Sequence, residues 1–290
     1  MRAACIDIGS NTTRLLVADR DDRELVEVHQ ERAFTRIGHG LGAAGEISAA
    51  KIDEVVAVVR AQIAVAHDQG AEHVRGVATA AIRTAANGAA LVDAIAHATG
   101  LAVEILSGEE EARLAFVGAA ATLERAPGGA LGVIDVGGGS SELVVGAVPD
   151  QVRWWSSVEL GSAVLTERWL ATDPPRPAQL DAARRQVDAA LDGLDPPRPE
   201  LAVAVGGSAT SLARLAGPVL DADALAGSLR VLTAEPAATV AGRFLIDPQR
   251  ARLLPAGLII LQAMARLLGA ELTVGRGGIR EGVLLEALTP

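Results

Sequence analysis

Residues 4–18, ACIDIGSNTTRLLVA, and residues 132–146, GVIDVGGGSSELVVG, align without a gap, and this internal repeat restricts the fold more than any other feature of the chain. Ile6 pairs with Ile134, Asp7 with Asp135, Gly9 with Gly137, Leu15 with Leu143 and Val17 with Val145. Apolar matches alone would say little, because any two buried strands look alike. An Asp and a Gly kept in the same register say that one local design is used twice. Each copy reads as strand, turn and strand, a β-hairpin whose turn is rich in Gly, Ser and Thr. Such a turn presents backbone N–H groups and hydroxyls to one point, which holds phosphate without many lysines, and glycine lets the ligand approach the backbone. The candidate phosphate-binding residues are therefore Gly9, Ser10, Asn11 and Thr12 in the first copy, and Gly137, Gly138, Gly139, Ser140 and Ser141 in the second.

A chain of 290 residues has room for two domains of about 120–150 residues each. After the first hairpin, Ser48 caps a helical pattern over 49–66, with Ile52, Val55, Val56, Val59 and Ile63 at helical spacing. A strand at 73–78, a helix at 88–98, a strand at 101–106 and a helix after Ser107 follow. The break at 127–129, Pro-Gly-Gly, precedes the second hairpin and sets the expected division into domains 1–126 and 127–290. Two copies of DPPRP, at 173–177 and 195–199, read as loops around a polar helix at 178–193. A strand at 201–205 runs through Gly206 and Gly207 into a helix starting at Ser208, and a strand at 271–274 leads through 275–278 into a last helix at 279–288, expected to pack back on the first domain. The class is α/β.

Composition narrows the partners. A net charge of -10 argues against a nucleic-acid binder, which needs a basic face. With 2 % aromatic residues and no tyrosine, base-stacking platforms of the single-strand-binding type are not expected. The apolar run at 253–261 is short and holds Pro255 and Gly257, so no membrane span of ~20 residues is expected. A start without a leader pattern and a single cysteine, Cys5, in an apolar strand fit a cytoplasmic protein.

Together the hairpins resemble the acetate kinase, hexokinase, Hsp70 and actin superfamily, with 203–212 as a third element. Within it, IDIGSNTTRLL, ILSGEEEARLAF, IDVGGGSSEL and GIREGVLLE resemble the exopolyphosphatase and guanosine pentaphosphate phosphohydrolase (Ppx/GppA) family. The resemblance implies two ribonuclease-H-like (actin-like ATPase) domains with phosphates held in an interdomain cleft. It also implies removal of a terminal phosphate from polyphosphate or a phosphorylated guanosine nucleotide, and is compatible with a homodimer.

Three consecutive acids, Glu109, Glu110 and Glu111, are separated by helix logic. Ser107 as N-cap puts Glu110 at the third helical position, where a capping box would use it. Glu109 suits the positive end of the helix dipole. Glu111 has no local task and matches the family's proposed catalytic glutamate, the base that takes a proton from attacking water. Arg83 and Arg14 are the candidate cations for phosphate oxygens, Arg83 being the one the family pattern supports. Asp7, Asp135 and Glu142 suit a divalent cation, Mg2+ by default, bridging them to phosphate. Gly206, Gly207 and Ser208 resemble the nucleotide-contacting segment of the superfamily's kinases and open a helix that could hold an anion. A small-molecule kinase and a non-catalytic polyphosphate or alarmone sensor are the competing functions. The acidic charge tilts the substrate toward short polyphosphates or a nucleotide.

Overall fold

Alternation along β1 (Arg2–Ile8) builds two cores at once: Ala4, Ile6 and Ile8 enter one apolar cluster, whereas Ala3 and Cys5 enter another on the opposite face. The computed structural model describes residues 1–21, 24–41 and 45–288. The chain divides into two compact units, Met1–Ala121 with Gly277–Pro290, and Thr122–Arg276.

In the first unit, β1, β2 (Thr13–Asp21) and β3 (Glu24–Ala33) form an antiparallel meander. β4 (His73–Ala78) and β5 (Val103–Ile105) extend it in parallel, in the order β3-β2-β1-β4-β5. Between β3 and β4 runs α1 (Ala49–Asp68), capped by the Ser48 side chain accepting from Lys51 N. α2 (Ala80–Thr84) and α3 (Gly88–Thr99) follow β4, and α4 (Gly108–Ala121) follows β5. Val55 and Val59 of α1 and Leu91 and Ile95 of α3 cover the Ile6 face.

The second unit repeats the plan with β6 (Leu131–Val136), β7 (Ser141–Ala147) and β8 (Gln151–Val158) antiparallel. β9 (Leu201–Val205), the short β10 (Val219–Leu220) and β11 (Leu272–Val274) complete the order β10-β11-β9-β6-β7-β8. The repeat extends to irregularities: the pairing of β2 with β3 slips between Val17 and Ala18, and that of β7 with β8 slips between Val145 and Gly146. The helices are α5 (Ser162–Trp169), α6 (Pro177–Leu191), α7 (Gly206–Ala216), α8 (Ala222–Ala234), α9 (Ala237–Phe244) and α10 (Pro248–Leu268). Finally, α11 (Ile279–Ala287) belongs to the first unit, where Val283 and Leu284 join Cys5 and Leu114 of α4.

Two expectations about helices are corrected, at α7 and α10. Residues from Gly277 onward cluster with the first unit, where α11 packs on α4 and β1. The packing is close enough that a side chain at Gly118 would strike Gly278 and one at Gly282 would strike Leu114. The helix after β9 starts at Gly206, two residues before Ser208. Pro255 and Gly257 do not break the run around them: both lie inside α10, which is long and apolar enough to cross a membrane. In this fold α10 is instead the central core helix of the second unit, with Leu254, Leu258, Leu261 and Leu268 unexposed.

Candidate active site

The pairing of β1 with β2 sets Asp7 opposite Arg14 and Ile8 opposite Thr13, and Gly9 N donates to Thr12 O at 2.9 Å to close the turn. The carbonyls of Ser10 and Asn11 accept from Gly38 N (2.8 Å) and Arg36 N (3.0 Å). In a trans peptide the next N–H points opposite to its carbonyl. The N–H groups of Asn11 and Thr12 therefore aim away from the 36–38 segment, and among the described residues they make no hydrogen bond. Ser10 Oγ accepts from Ala81 N at 3.2 Å, while the buried Asn11 Nδ2 has no partner.

The second turn is built the same way from other parts. Asp135 faces Glu142, Val136 faces Ser141, and Gly137 N donates to Ser140 O at 3.1 Å. The carbonyls of Gly137 and Gly138 accept from Ser162 N (2.9 Å) and Ala163 N (3.0 Å) at the start of α5. By the same geometry the unbonded N–H groups of Gly138 and Gly139 aim away from α5. Gly161 lies so close to the Gly138–Gly139 peptide that a side chain there would collide with it. Ser140 is buried, and the Ser141 hydroxyl donates to Leu160 O at 2.7 Å, a structural use where a phosphate contact was expected. Each turn thus has its carbonyls occupied on one side and two free amides on the other, the arrangement of an anion-binding nest.

Sheet register sorts the other residues. Cys5 and Asp7 project on the face of β1 covered by α4 and α11, and Arg14 shares that face with Leu16 and Ala18. Burial pushes the Asp7 carboxyl above the usual range, partly offset by Arg14 and Arg280, and its Oδ1 is enclosed without a hydrogen-bond partner. Cys5 beside it is fully buried, and burial pushes its thiol up, which leaves it a packing residue.

Glu111 and Arg83, which sequence reasoning singled out independently, meet. Glu111 is 2 % exposed and its Oε1 pairs with Arg83 Nη1, which also donates to Leu106 O at 2.7 Å. Arg83 lies in α2, and among the described residues its Nε and Nη2 make no hydrogen bond. It can hold the glutamate and still present donors to an oxyanion. The Ser107 hydroxyl caps α4 by accepting from Glu110 N at 3.1 Å, but the return half of the expected capping box is replaced. Both Glu110 oxygens accept from Arg113, at 2.8 and 2.5 Å, because a bidentate guanidinium one turn on offers two bonds between opposite full charges instead of one bond from a neutral backbone donor. Arg113 holds the Glu110 carboxyl below its usual range.

In the second unit Glu142 is 2 % exposed and accepts from Ser157 Oγ at 2.8 Å. Gly206, at φ +81°, brings the start of α7 against Asp135, where any side chain would strike Oδ1. Ser208 is fully buried under Gly257 of α10, its Oγ without a partner. Among the described residues no three His, Cys, Asp or Glu side chains form a ready-made metal cage. Within the second unit the facing pair Asp135 and Glu142, and within the first the orphaned Asp7 Oδ1, each suit a hard cation that completes its shell with water and phosphate.

Two residues escaped the sequence reading. Thr79, between β4 and α2, has its Oγ1 3.8 Å from where a Cβ on Gly9 would lie; the strand-to-helix switch at 78–80 was its signal. Arg250, 6 % exposed in the first turn of α10, has its guanidinium 2.6–3.1 Å from where a Cβ on Gly207 would lie. Nothing in its local sequence shows that contact.

The model of the Ppx/GppA phosphatase family matches residues 16–289. The chain is 33 % identical to exopolyphosphatase 2 of Mycobacterium tuberculosis over 314 aligned positions, covering 98 % of both chains. Exopolyphosphatase 1 of Mycobacterium bovis is 30 % identical, covering 99 % of this chain and 88 % of the relative. Among solved structures, the Ppx/GppA family member of Aquifex aeolicus superposes with a TM-score of 0.83 at 28 % identity, over 99 % of this chain and 97 % of that one.

Proposed function

This chain belongs to the Ppx/GppA phosphatase family and is a hydrolase of phosphoanhydrides, and on that premise we propose that it removes the terminal phosphate from short inorganic polyphosphate in the cytoplasm. The observation that carries the reading is the pair of matched turns, each with two unbonded amides aimed away from its braced carbonyls. Four amides hold phosphate oxygens by fixed dipoles, which requires no basic surface and suits a protein of net charge -10. A phosphate chain is favoured over a guanosine nucleotide because aromatic residues make up 2 % of the sequence, too few for a base platform.

In this reading Glu111 accepts the proton of the attacking water, and Arg83 fixes the carboxylate while its free Nε and Nη2 meet the charge that grows on the transferred phosphoryl group. Arg14, opposite Asp7, takes a neighbouring phosphate oxygen. The start of α7, with Gly206, Gly207 and the buried Arg250, takes the far end of the chain. Asp135 and Glu142 in the second unit, and Asp7 in the first, are the carboxylates suited to Mg2+, which supplies neutralisation of phosphate oxygen charge when bound. The rest of the work is positioning by the protein's own groups.

Initial rates on short polyphosphate, long polyphosphate, guanosine pentaphosphate and ATP, each with and without magnesium, test the proposal. The expected result is magnesium-dependent orthophosphate release, fastest on short polyphosphate. Release from guanosine pentaphosphate alone would overturn the substrate assignment, and labelled phosphate appearing on an acceptor instead of in solution would overturn hydrolysis.

A further inference from the structure

The closing motif GIREG places Arg280 in the first turn of α11, and no role above uses it. Its side chain is 11 % exposed, an uncommon degree of burial for a guanidinium, which is normally paired on every side when so enclosed. Yet among the described residues its one hydrogen bond runs from Nη1 to Leu15 O, at 3.1 Å, and Glu281 Oε1 stands off at 3.8 Å from Nη2. Glu281 is itself engaged, since its Oε2 accepts from Gly278 N at 2.8 Å. Among the described residues the Nε and Nη2 donors therefore have no acceptor within hydrogen-bond distance.

Leu15 is the neighbour of Arg14 and pairs with Ile6, next to Asp7. Arg280 thus reaches the same end of the same sheet face as Asp7 and Arg14, and its charge acts on Asp7. Here a buried carboxylate oxygen lacks a donor and a nearly buried guanidinium has an acceptor only at Nη1 among the described residues, and the two are not bonded to each other. A phosphate oxygen accepting from the guanidinium, with a water or cation between it and the carboxylate, satisfies both groups.

We propose that Arg280 is a substrate-contacting cation of the hydrolytic site, binding a phosphate oxygen beside Arg14. The inference rests on the polyphosphate reading and adds a ligand group from the far end of the chain. Its bond to the Leu15 carbonyl fixes the guanidinium, so that its remaining donors are in place before substrate arrives.

Direct binding of tripolyphosphate, measured by calorimetry on the whole protein, and KM and kcat for its hydrolysis test this with Arg280→Met, Arg280→Gln and Arg280→Lys. Glu286→Gln serves as control, because it loosens α11 from Arg113 without touching the site. The expected result is an affinity about tenfold lower in Arg280→Met and Arg280→Gln. KM should rise in parallel, Arg280→Lys should recover most of the loss, and Glu286→Gln should bind as the wild type does. Arg280→Gln keeps an amide able to reach Leu15 but no charge. Wild-type affinity in Arg280→Gln, or equal losses in Glu286→Gln, would reduce Arg280 to a tether and overturn the inference. If the wild-type protein neither binds nor hydrolyses tripolyphosphate, the polyphosphate reading falls and this inference with it. Wild-type turnover with unchanged variants would sink this inference alone.

Discussion

At the scale of single residues, the pairing of Glu111 with Arg83 joins chemistry to stability. Replacing Glu111 by Gln keeps its shape and removes the proton acceptor. Phosphate release should fall by about 10²–10⁴-fold with tripolyphosphate binding retained, and single-turnover kinetics alongside calorimetry checks both halves. Arg83→Leu strands a buried carboxylate. Because Arg83 is itself about a quarter exposed, the loss should be about 2–3 kcal/mol, below the range for fully buried pairs. Urea denaturation measures it, and adding Glu111→Leu should recover part of it.

Asp7 gives a prediction of opposite sign. Its folded-state pKa is raised by burial, so the cost of ionising it in the fold is absent below the unfolded value of about 3.9 and appears as pH rises through the folded value. Asp7→Asn should therefore melt higher than wild type at pH 7 without metal, with the difference vanishing near pH 4, although the variant loses activity. A difference independent of pH would contradict the assignment of burial as the cause.

At the scale of elements, both hairpins were legible in the sequence because register, turn chemistry and alternation agreed there. β9 and the starts of α1 and α11 were legible for the same reason. β3 and β8 were not. β3 reads ELVEVHQERA, an edge strand whose polar residues hide the period of two, and β8 reads QVRWWSSV. α10 was hidden by Pro255, which a helix tolerates when surrounding elements hold it; here those are α5 to α9. Helix packing supplies its own test. Gly118→Ala must push α11 off α4, because the added methyl meets the Gly278 backbone. A loss of about 1–3 kcal/mol should come with reduced kcat, since α4 carries Glu111. Thermal melts and rate measurements on the same samples check the pairing of effects, and Gly242→Ala in α9, where nothing lies within 4 Å, should leave kcat unchanged and raise stability by about 0.5–1 kcal/mol.

At the scale of the whole molecule, one hairpin design serves twice with different braces. The 36–38 segment holds the first turn and the start of α5 holds the second, and the residue opposite the conserved-register aspartate is Arg14 in one and Glu142 in the other. Sequence alone found this asymmetry, because it is written in residue type. It did not find Thr79 or Arg250 as site residues, because their neighbours Gly9 and Gly207 lie 70 and 43 positions away, and only folding brings them together. Nor did it assign the last helix firmly to the first unit, a matter of where its apolar face finds cover.

The central claim is that this protein activates water against a terminal phosphate held by backbone amides. Hydrolysis of tripolyphosphate in ¹⁸O-enriched water tests it most directly, with the released orthophosphate read by mass spectrometry. One solvent oxygen should enter each orthophosphate released by the wild-type protein, and release should nearly cease in Glu111→Gln. Orthophosphate without solvent label, or undiminished release from Glu111→Gln, would contradict the account.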